Sequence, residues 1–226
     1  MDTKGFAIAI DGPGGVGKST TARLVAEKLK MVYIDTGAMY RSVALFQMEN
    51  GLDLHDEASL EASLAHIELE IRNIDGAQKI FLNDRDVTEK IRTQEVGEGA
   101  SVVAANPRVR EKLVSQQQKM AAEGRIVMDG RDIGSLVLPW AQLKIYLDAT
   151  IDIRAKRRKL ELDAKGIPAD LKKIREETAA RDHSDKTRKH SPLTRTPDAI
   201  YLDTGEITPE QTAAAIIKLV QQFEEL

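Results

Sequence analysis

Apolar residues run unbroken from Phe6 to Ile10, and a glycine-rich turn follows them. Leu24, Val25, Ala26 and Leu29 then recur at helical spacing. A short apolar run bounded by glycines predicts a buried strand over Gly5–Ile10, and the recurrence after it predicts one face of a helix over Lys18–Lys30. Met31 to Asp35 repeats the strand pattern, and Ala38 to Met48 the helical one, stopped by Asn50-Gly51. Strand and helix in alternation predict a parallel sheet with crossover helices.

The middle of the chain breaks that rhythm. Ile67, Leu69 and Ile71 alternate with Glu68, Glu70 and Arg72, the period of a half-buried strand. Asn73-Ile74-Asp75-Gly76 is a turn signal, and Lys79 to Leu82 returns as a second strand, so a hairpin is expected inside an inserted subdomain at roughly Leu52 to Arg92. A helical stretch follows, broken near Asn106-Pro107 and resuming through Ala121. Buried strands return at Arg125–Asp129 and Leu143–Leu147. A basic helix spans about Ile151–Lys165, Gly166-Ile167-Pro168 punctuates it, and a second helix runs to about Arg181. A polar segment, Asp182–Pro197, leads to a last strand at Ala199–Leu202. Thr208-Pro209-Glu210-Gln211 opens the final helix with a capping box and a proline at the first helical position.

Length allows one domain with a sizeable insertion, since 226 residues stand against roughly 100–200 per domain. No apolar run approaches the ~20 residues of a membrane span, and Phe6–Ile10 is too short for a signal-peptide core. A soluble, cytoplasmic protein is expected. The absence of cysteine excludes a disulfide scaffold, a thiolate zinc site and a cysteine nucleophile. Four histidines without H-E-x-x-H spacing offer little to a histidine-built metal site. A net charge of −3 excludes a general nucleic-acid coat. Between Arg154 and Arg195, however, 14 Lys and Arg face 7 Asp and Glu. That segment is either a solvated helix face or the place of a local anionic partner.

Gly12-Pro13-Gly14-Gly15-Val16-Gly17-Lys18-Ser19 fits G-x-x-x-x-G-K-[ST] between an expected strand and an expected helix, where the mechanism needs it. Glycines let backbone N–H groups turn inward, and with the helix N-terminus they make an anion cradle. Lys18 would reach the β- and γ-phosphates of a nucleoside triphosphate, and Ser19 would place its hydroxyl on Mg²⁺. Asp129 ends an expected strand where a Walker-B acid belongs, although an Asp-Gly pair also marks an ordinary turn. Arg41, Arg110, Arg131, Arg181 and Arg188 stand among polar residues at expected loop and helix edges. Guanidinium groups suit bidentate phosphate contact, and two polyanions must be held in line against their repulsion. Arg154, Arg157 and Arg158 fall on one helix face and could close as a lid. Any one of these arginines taken singly also fits a surface ion pair.

Together the residues carry a resemblance. The chain is similar to the bacterial cytidylate kinases, in the nucleoside monophosphate kinase group of P-loop proteins. The likeness rests on Ile10 through Thr20, Asp35-Thr36-Gly37-Ala38-Met39-Tyr40-Arg41 and Ile91-Arg92-Thr93-Gln94-Glu95-Val96. It continues through Ser101-Val102-Val103-Ala104, Pro107-Arg108-Val109-Arg110, Asp129-Gly130-Arg131-Asp132-Ile133-Gly134 and Arg181 to Arg188. Thr36 stands where the motif also occurs with Ser, and Gly14 where Ser or Ala is frequent. The resemblance implies an α/β fold: a P-loop core with a five-stranded parallel sheet flanked by helices, an inserted α+β monophosphate-binding part with a hairpin, and a helical lid. It implies a core of residues 1–36, 110–150 and 190–226, a monophosphate-binding part at 37–109 and a lid at 151–189.

The implied activity is transfer of the ATP γ-phosphoryl to CMP or dCMP with Mg²⁺, by a cytoplasmic monomer that engages neither nucleic acid nor membrane. Gly12 to Thr20, including Pro13, Gly14, Gly15, Val16, Gly17, Lys18 and Ser19, would hold ATP. Ser19 and Asp129 would serve the metal. Ser101, Arg110 and Asp132 would read the cytosine, Arg181 and Asp185 the sugar. Tyr40, Arg41, Arg131 and Arg188 would hold the acceptor phosphate, and Thr36 would also bind CMP. Lys18, Arg131, Arg157, Arg158 and Arg188 would stabilise the transferring group. Three other readings use parts of the same sequence. A kinase for another monophosphate or a metabolite would share the core. A GTPase switch would need N-K-x-D, but Asn50, Asn73, Asn83 and Asn106 are followed by Gly, Ile, Asp and Pro. An RNA binder using the basic segment would lack a stacking platform, since no aromatic residue lies between Arg154 and Arg195.

Overall fold

The computed structural model describes residues 5–74, 77–122 and 124–224. The chain divides into two units, Met1–Tyr33 with Ala121–Leu226, and Ile34–Met120.

The first unit is built on β1 (Ala7–Asp11), β6 (Ile126–Gly130), β7 (Leu143–Asp148) and β8 (Ile200–Asp203). With β2 (Val32–Asp35) they form a five-stranded sheet in the order β2-β6-β1-β7-β8. β1 runs parallel to both β6 and β7, and β7 parallel to β8. β1 is central and buried at every position, which is why its sequence is a continuous apolar run rather than an alternation. Ile8, Ile10, Val127, Ile145 and Leu147 meet Val25 and Ala26 of α1 (Lys18–Leu29) and Ile216 and Val220 of α8 (Pro209–Glu224) in one core. The capping box of α8 forms: the Thr208 N–H donates to Gln211 Oε1 at 2.8 Å, and the Gln211 N–H to Thr208 Oγ1 at 3.2 Å.

A second, small core of Ala155, Leu162 and Ile174 joins α6 (Ile151–Ala164) to α7 (Leu171–Thr187). α7 runs six residues past the helix end expected at Arg181. Asp182 and Asp185, which made that stretch look like a polar loop, face inward and are paired with arginines, so the helix continues. Between β6 and β7 lies a single π turn at Ile133–Val137 that the sequence did not announce.

The second unit has α2 (Thr36–Glu49), α3 (Glu57–Ser63), the hairpin β3 (Leu69–Ile74) and β4 (Ala77–Leu82), a two-residue β5 (Arg85–Asp86), α4 (Gln94–Val103) and α5 (Pro107–Ala121). The hairpin is antiparallel as its alternation predicts, with Ile71 opposite Ile80 and Leu69 opposite Leu82. Asp75 and Gly76 of the expected turn lie outside the described residues. Ile80 and Leu82 share a core with Val43 of α2, Val103 of α4 and Leu113 of α5. α5 starts where proline broke the helical pattern, because Asn106 Oδ1 caps it by accepting the N–H groups of Arg108 and Val109. Among the described residues no helix is long and apolar enough to cross a membrane.

Candidate active site

The phosphate loop joins β1 to α1. Gly12, with φ +148°, passes so close to β7 that a Cβ on it would stand 2.1 Å from the Leu147 carbonyl oxygen. Gly17 caps α1 in the left-handed region, at φ 90°. The loop is held from outside by Thr204, which the sequence did not single out, and by Arg154, which it placed on a lid face. Thr204 Oγ1 lies 3.0 Å from the Val16 carbonyl and donates to it. Arg154 donates to the Gly14 carbonyl at 3.1 Å and to the Ala149 carbonyl at 3.0 Å.

Lys18 lies buried within the loop and donates from Nζ to the Pro13 carbonyl at 2.7 Å. Burial first, and the neighbouring Arg131 guanidinium second, hold its ammonium well below the ordinary lysine value. An anion entering the loop would act in the opposite direction and favour the ammonium. Ser19 Oγ donates to Asp129 Oδ2 at 2.8 Å, and Tyr33 Oη donates to Asp129 Oδ1 at 2.8 Å. The parallel register brings Asp129 opposite Ile10, at the carboxyl end of β6 where ligands bind in such sheets.

A network of arginines and carboxylates occupies the same unit. Arg131 Nε donates to Asp185 Oδ2 at 2.7 Å, and its Nη2 lies 3.5 Å from where a Cβ on Gly14 would stand. One guanidinium therefore binds the carboxylate of α7 and lies beside the phosphate loop, near enough to act on the charge of Lys18. Burial disfavours charge on Asp185, but Arg131 outweighs it and keeps the carboxyl below its ordinary range. Arg188 adds contacts of 3.8 Å to Asp185 and 4.0 Å to Asp132, and donates from Nε to the Ser191 carbonyl at 2.7 Å. Arg181 is exposed on α7 and depresses Asp185 further.

The three arginines expected to share a helix face separate. Arg154 is buried and forms a two-pronged pair with Asp182 of α7, so it braces loop and helix. Arg157 donates to the carbonyls of Thr204 and Gly205. Arg158 is half-exposed and pairs with Glu161 at 3.1 Å.

In the second unit, Asp35 does two jobs. It caps α2 by accepting the Ala38 N–H at 2.9 Å, and it accepts from Arg41 at 2.8 Å and Arg92 at 3.2 Å. Burial opposes its charge, and the two arginines more than offset that, so its carboxyl lies below the ordinary range. Thr36 opens α2 and is buried, as is Tyr40 one turn on. The Arg110 guanidinium lies 5.5 Å from the Tyr40 ring centroid and donates to the Ala104 carbonyl at 3.3 Å. Ser101 sits in α4, half-buried. Arg92 and Asp35, which lie in separate sequence motifs, are joined by an ion pair.

A family model described as cytidylate kinase matches residues 8–222. A cytidylate kinase of Listeria welshimeri is 48% identical over 220 residues, covering 97% of this chain and 98% of that protein. A cytidylate kinase of Geobacillus thermodenitrificans is 46% identical over 217 residues, covering 96% and 97%. A solved structure of an uncharacterised protein from Eubacterium ventriosum shares the fold at 13% identity with a TM-score of 0.52, covering 97% of this chain and 99% of that one.

Proposed function

Since the chain belongs to the cytidylate kinase family, we infer that it transfers the γ-phosphoryl group of ATP to CMP or dCMP, yielding CDP or dCDP and ADP. The observation that carries this reading is the place of Arg131, which bonds to Asp185 of the carboxylate network and lies beside the phosphate loop near Gly14 and Lys18. A phosphoryl donor and a phosphoryl acceptor must meet in line, and a guanidinium reaching both sides suits that task.

Gly12 to Thr20 hold the ATP phosphates through backbone N–H groups and Lys18. Ser101, Arg110 and Asp132 read the cytosine. A set of fixed donors and acceptors rejects another base because the wrong base leaves buried polar groups unpaired. Arg181 and Asp185 meet the sugar, Tyr40, Arg41, Arg131 and Arg188 hold the acceptor phosphate, and Thr36 binds CMP beside them. That phosphate is already largely ionised near neutral pH, so positioning and charge neutralisation do most of the catalysis. Lys18, Arg131 and Arg188 neutralise the equatorial oxygens, and Arg157 and Arg158 join them when α6 and α7 close as a lid that keeps water from the γ-phosphoryl.

The hydroxyl of Ser19 and the carboxylate of Asp129 are hard oxygen donors 2.8 Å apart, the chemistry that suits Mg²⁺. Mg²⁺ is held by one or two such groups together with substrate phosphates and waters, so it needs no larger protein cage. Bound there, it would neutralise charge on the β- and γ-oxygens. The enzyme works as a cytoplasmic monomer on small-molecule substrates.

Release of ADP from MgATP should be measured with CMP, dCMP, UMP, AMP, dTMP, GMP and no acceptor. Fast release with CMP and dCMP is the expected result, and Lys18→Ala should lower kcat by orders of magnitude with the fold retained. Release without acceptor would mean a hydrolase, and preference for another monophosphate would unseat Ser101, Arg110 and Asp132 as base readers.

A further inference from the structure

Asp11, the last residue of β1, is buried and has no part in the assignments above. Its Oδ1 accepts the Ile133 N–H at 2.8 Å and its Oδ2 the Gly134 N–H at 2.7 Å. These are the first two N–H groups of the π turn, which have no partner within the turn itself. On the other side of them stands Asp132, whose carbonyl accepts from Leu136 at 2.9 Å and Val137 at 3.2 Å. Asp132 has φ −142° and ψ 26°, outside the helical and strand regions, so its backbone is set by what holds it.

Gly134 has little room to move. A Cβ on it would stand 3.1 Å from Lys144 Cδ and 3.3 Å from Asp11 Oδ2, and Lys144 is itself tied to Asp198 at 2.7 Å. The cost of this grip is considerable, because a carboxylate is kept out of water. Burial pushes the Asp11 carboxyl up to about 6, against the two N–H groups; Asp132 pushes the same way and Lys18 the opposite way. A neutral hydroxyl or amide caps a turn without that cost. What a carboxylate adds is two acceptors at fixed separation, which set the orientation of two successive peptides.

We propose that Asp11 is a positioning residue for the acceptor base: by gripping the Ile133 and Gly134 N–H groups it fixes the backbone that presents Asp132. The inference rests on the reading of Asp132 as a base reader. It applies to a residue that adjoins the phosphate loop yet acts on the other substrate.

The test compares wild type with Asp11→Asn, Gly134→Ala and Asp132→Ala, by ADP release with CMP and with UMP and by KM for MgATP. Asp11→Asn replaces one acceptor with an NH₂ donor facing an N–H. Gly134→Ala presses on the same contact from the other side and leaves the loop sequence untouched, so it carries the test if the buried substitution does not fold. Both should raise KM for CMP tenfold or more and shrink the kcat/KM ratio of CMP to UMP by a similar factor, with KM for MgATP within twofold. A rise in KM for MgATP matching that for CMP, or an unchanged CMP-to-UMP ratio in both variants, would overturn the proposal. If Asp132→Ala alone shifts the ratio, only the role of Asp11 falls. If Asp132→Ala leaves the ratio as in wild type, the base-reading assignment falls and the proposal with it.

Discussion

Gly12 and Gly14 stand two residues apart in the phosphate loop and meet opposite surroundings. Gly12 is at φ +148°, and a Cβ there would run into the Leu147 carbonyl at 2.1 Å, a backbone atom that β7 holds in the sheet. Gly14 has ordinary backbone, and a Cβ would rest 3.5 Å from Arg131 Nη2, normal contact. Gly12→Ala is therefore expected to lose stable folding or MgATP binding. Gly14→Ala is expected to gain about 0.4–1 kcal/mol by restricting the unfolded chain, roughly 1–4 °C in Tm for a protein of this size. Thermal melts with and without MgATP check both, and a fall in Tm for Gly14→Ala would show that the loop needs glycine's freedom there. The phosphate-loop pattern names Gly12 and Gly17 and leaves position 14 open, in agreement with the geometry. Asp11, one residue earlier, was not legible. Its role lies in a contact with Ile133 and Gly134, more than 120 residues on, that no local pattern records.

At the scale of elements, α6 and α7 show where polarity misleads. A scan for apolar periodicity ends α7 near Arg181 because Asp182 and Asp185 add no hydrophobic signal. In the fold both are buried, and Arg154 and Arg131 supply the partners that make burial tolerable. The short α3 and two-residue β5 were missed for a plainer reason: neither is long enough to show a period. The Arg154–Asp182 pair gives an expectation with two readouts. Asp182→Ala leaves a buried guanidinium uncompensated and should cost about 3–5 kcal/mol in urea unfolding. The double variant Arg154→Met/Asp182→Leu should recover most of that, since apolar residues can replace a buried pair. It should still raise KM for MgATP, because the Gly14 and Ala149 carbonyls lose their donor. Full recovery of both stability and KM would make the pair purely a helix contact.

At the scale of the whole molecule, the strand–helix alternation and the alternating hairpin were the strongest signals, and both correspond to formed sheets. The sequence marked the insertion by its hairpin, at about 52–92. The compact unit runs over Ile34–Met120, because α2, α4 and α5 bury their apolar faces against the hairpin. Those helices have the same period as core helices, so a pattern alone could not allot them. The allotment has a consequence for binding. The residues proposed for MgATP all belong to the unit of Met1–Tyr33 and Ala121–Leu226, whereas Thr36, Tyr40, Arg41, Ser101 and Arg110 belong to the other. Ligand stabilisation follows RT ln(1 + [L]/Kd), so a tenfold weaker Kd removes about 1.4 kcal/mol at saturating ligand. For a chain of this size that is roughly 3–6 °C of ligand-induced shift. Arg41→Ala should lose that much of the shift given by CMP and keep the full shift given by MgATP, each measured against its own ligand-free melt so that the lost Asp35 ion pair cancels. Equal loss of both shifts would mean that Arg41 serves the fold of its unit and not the acceptor phosphate.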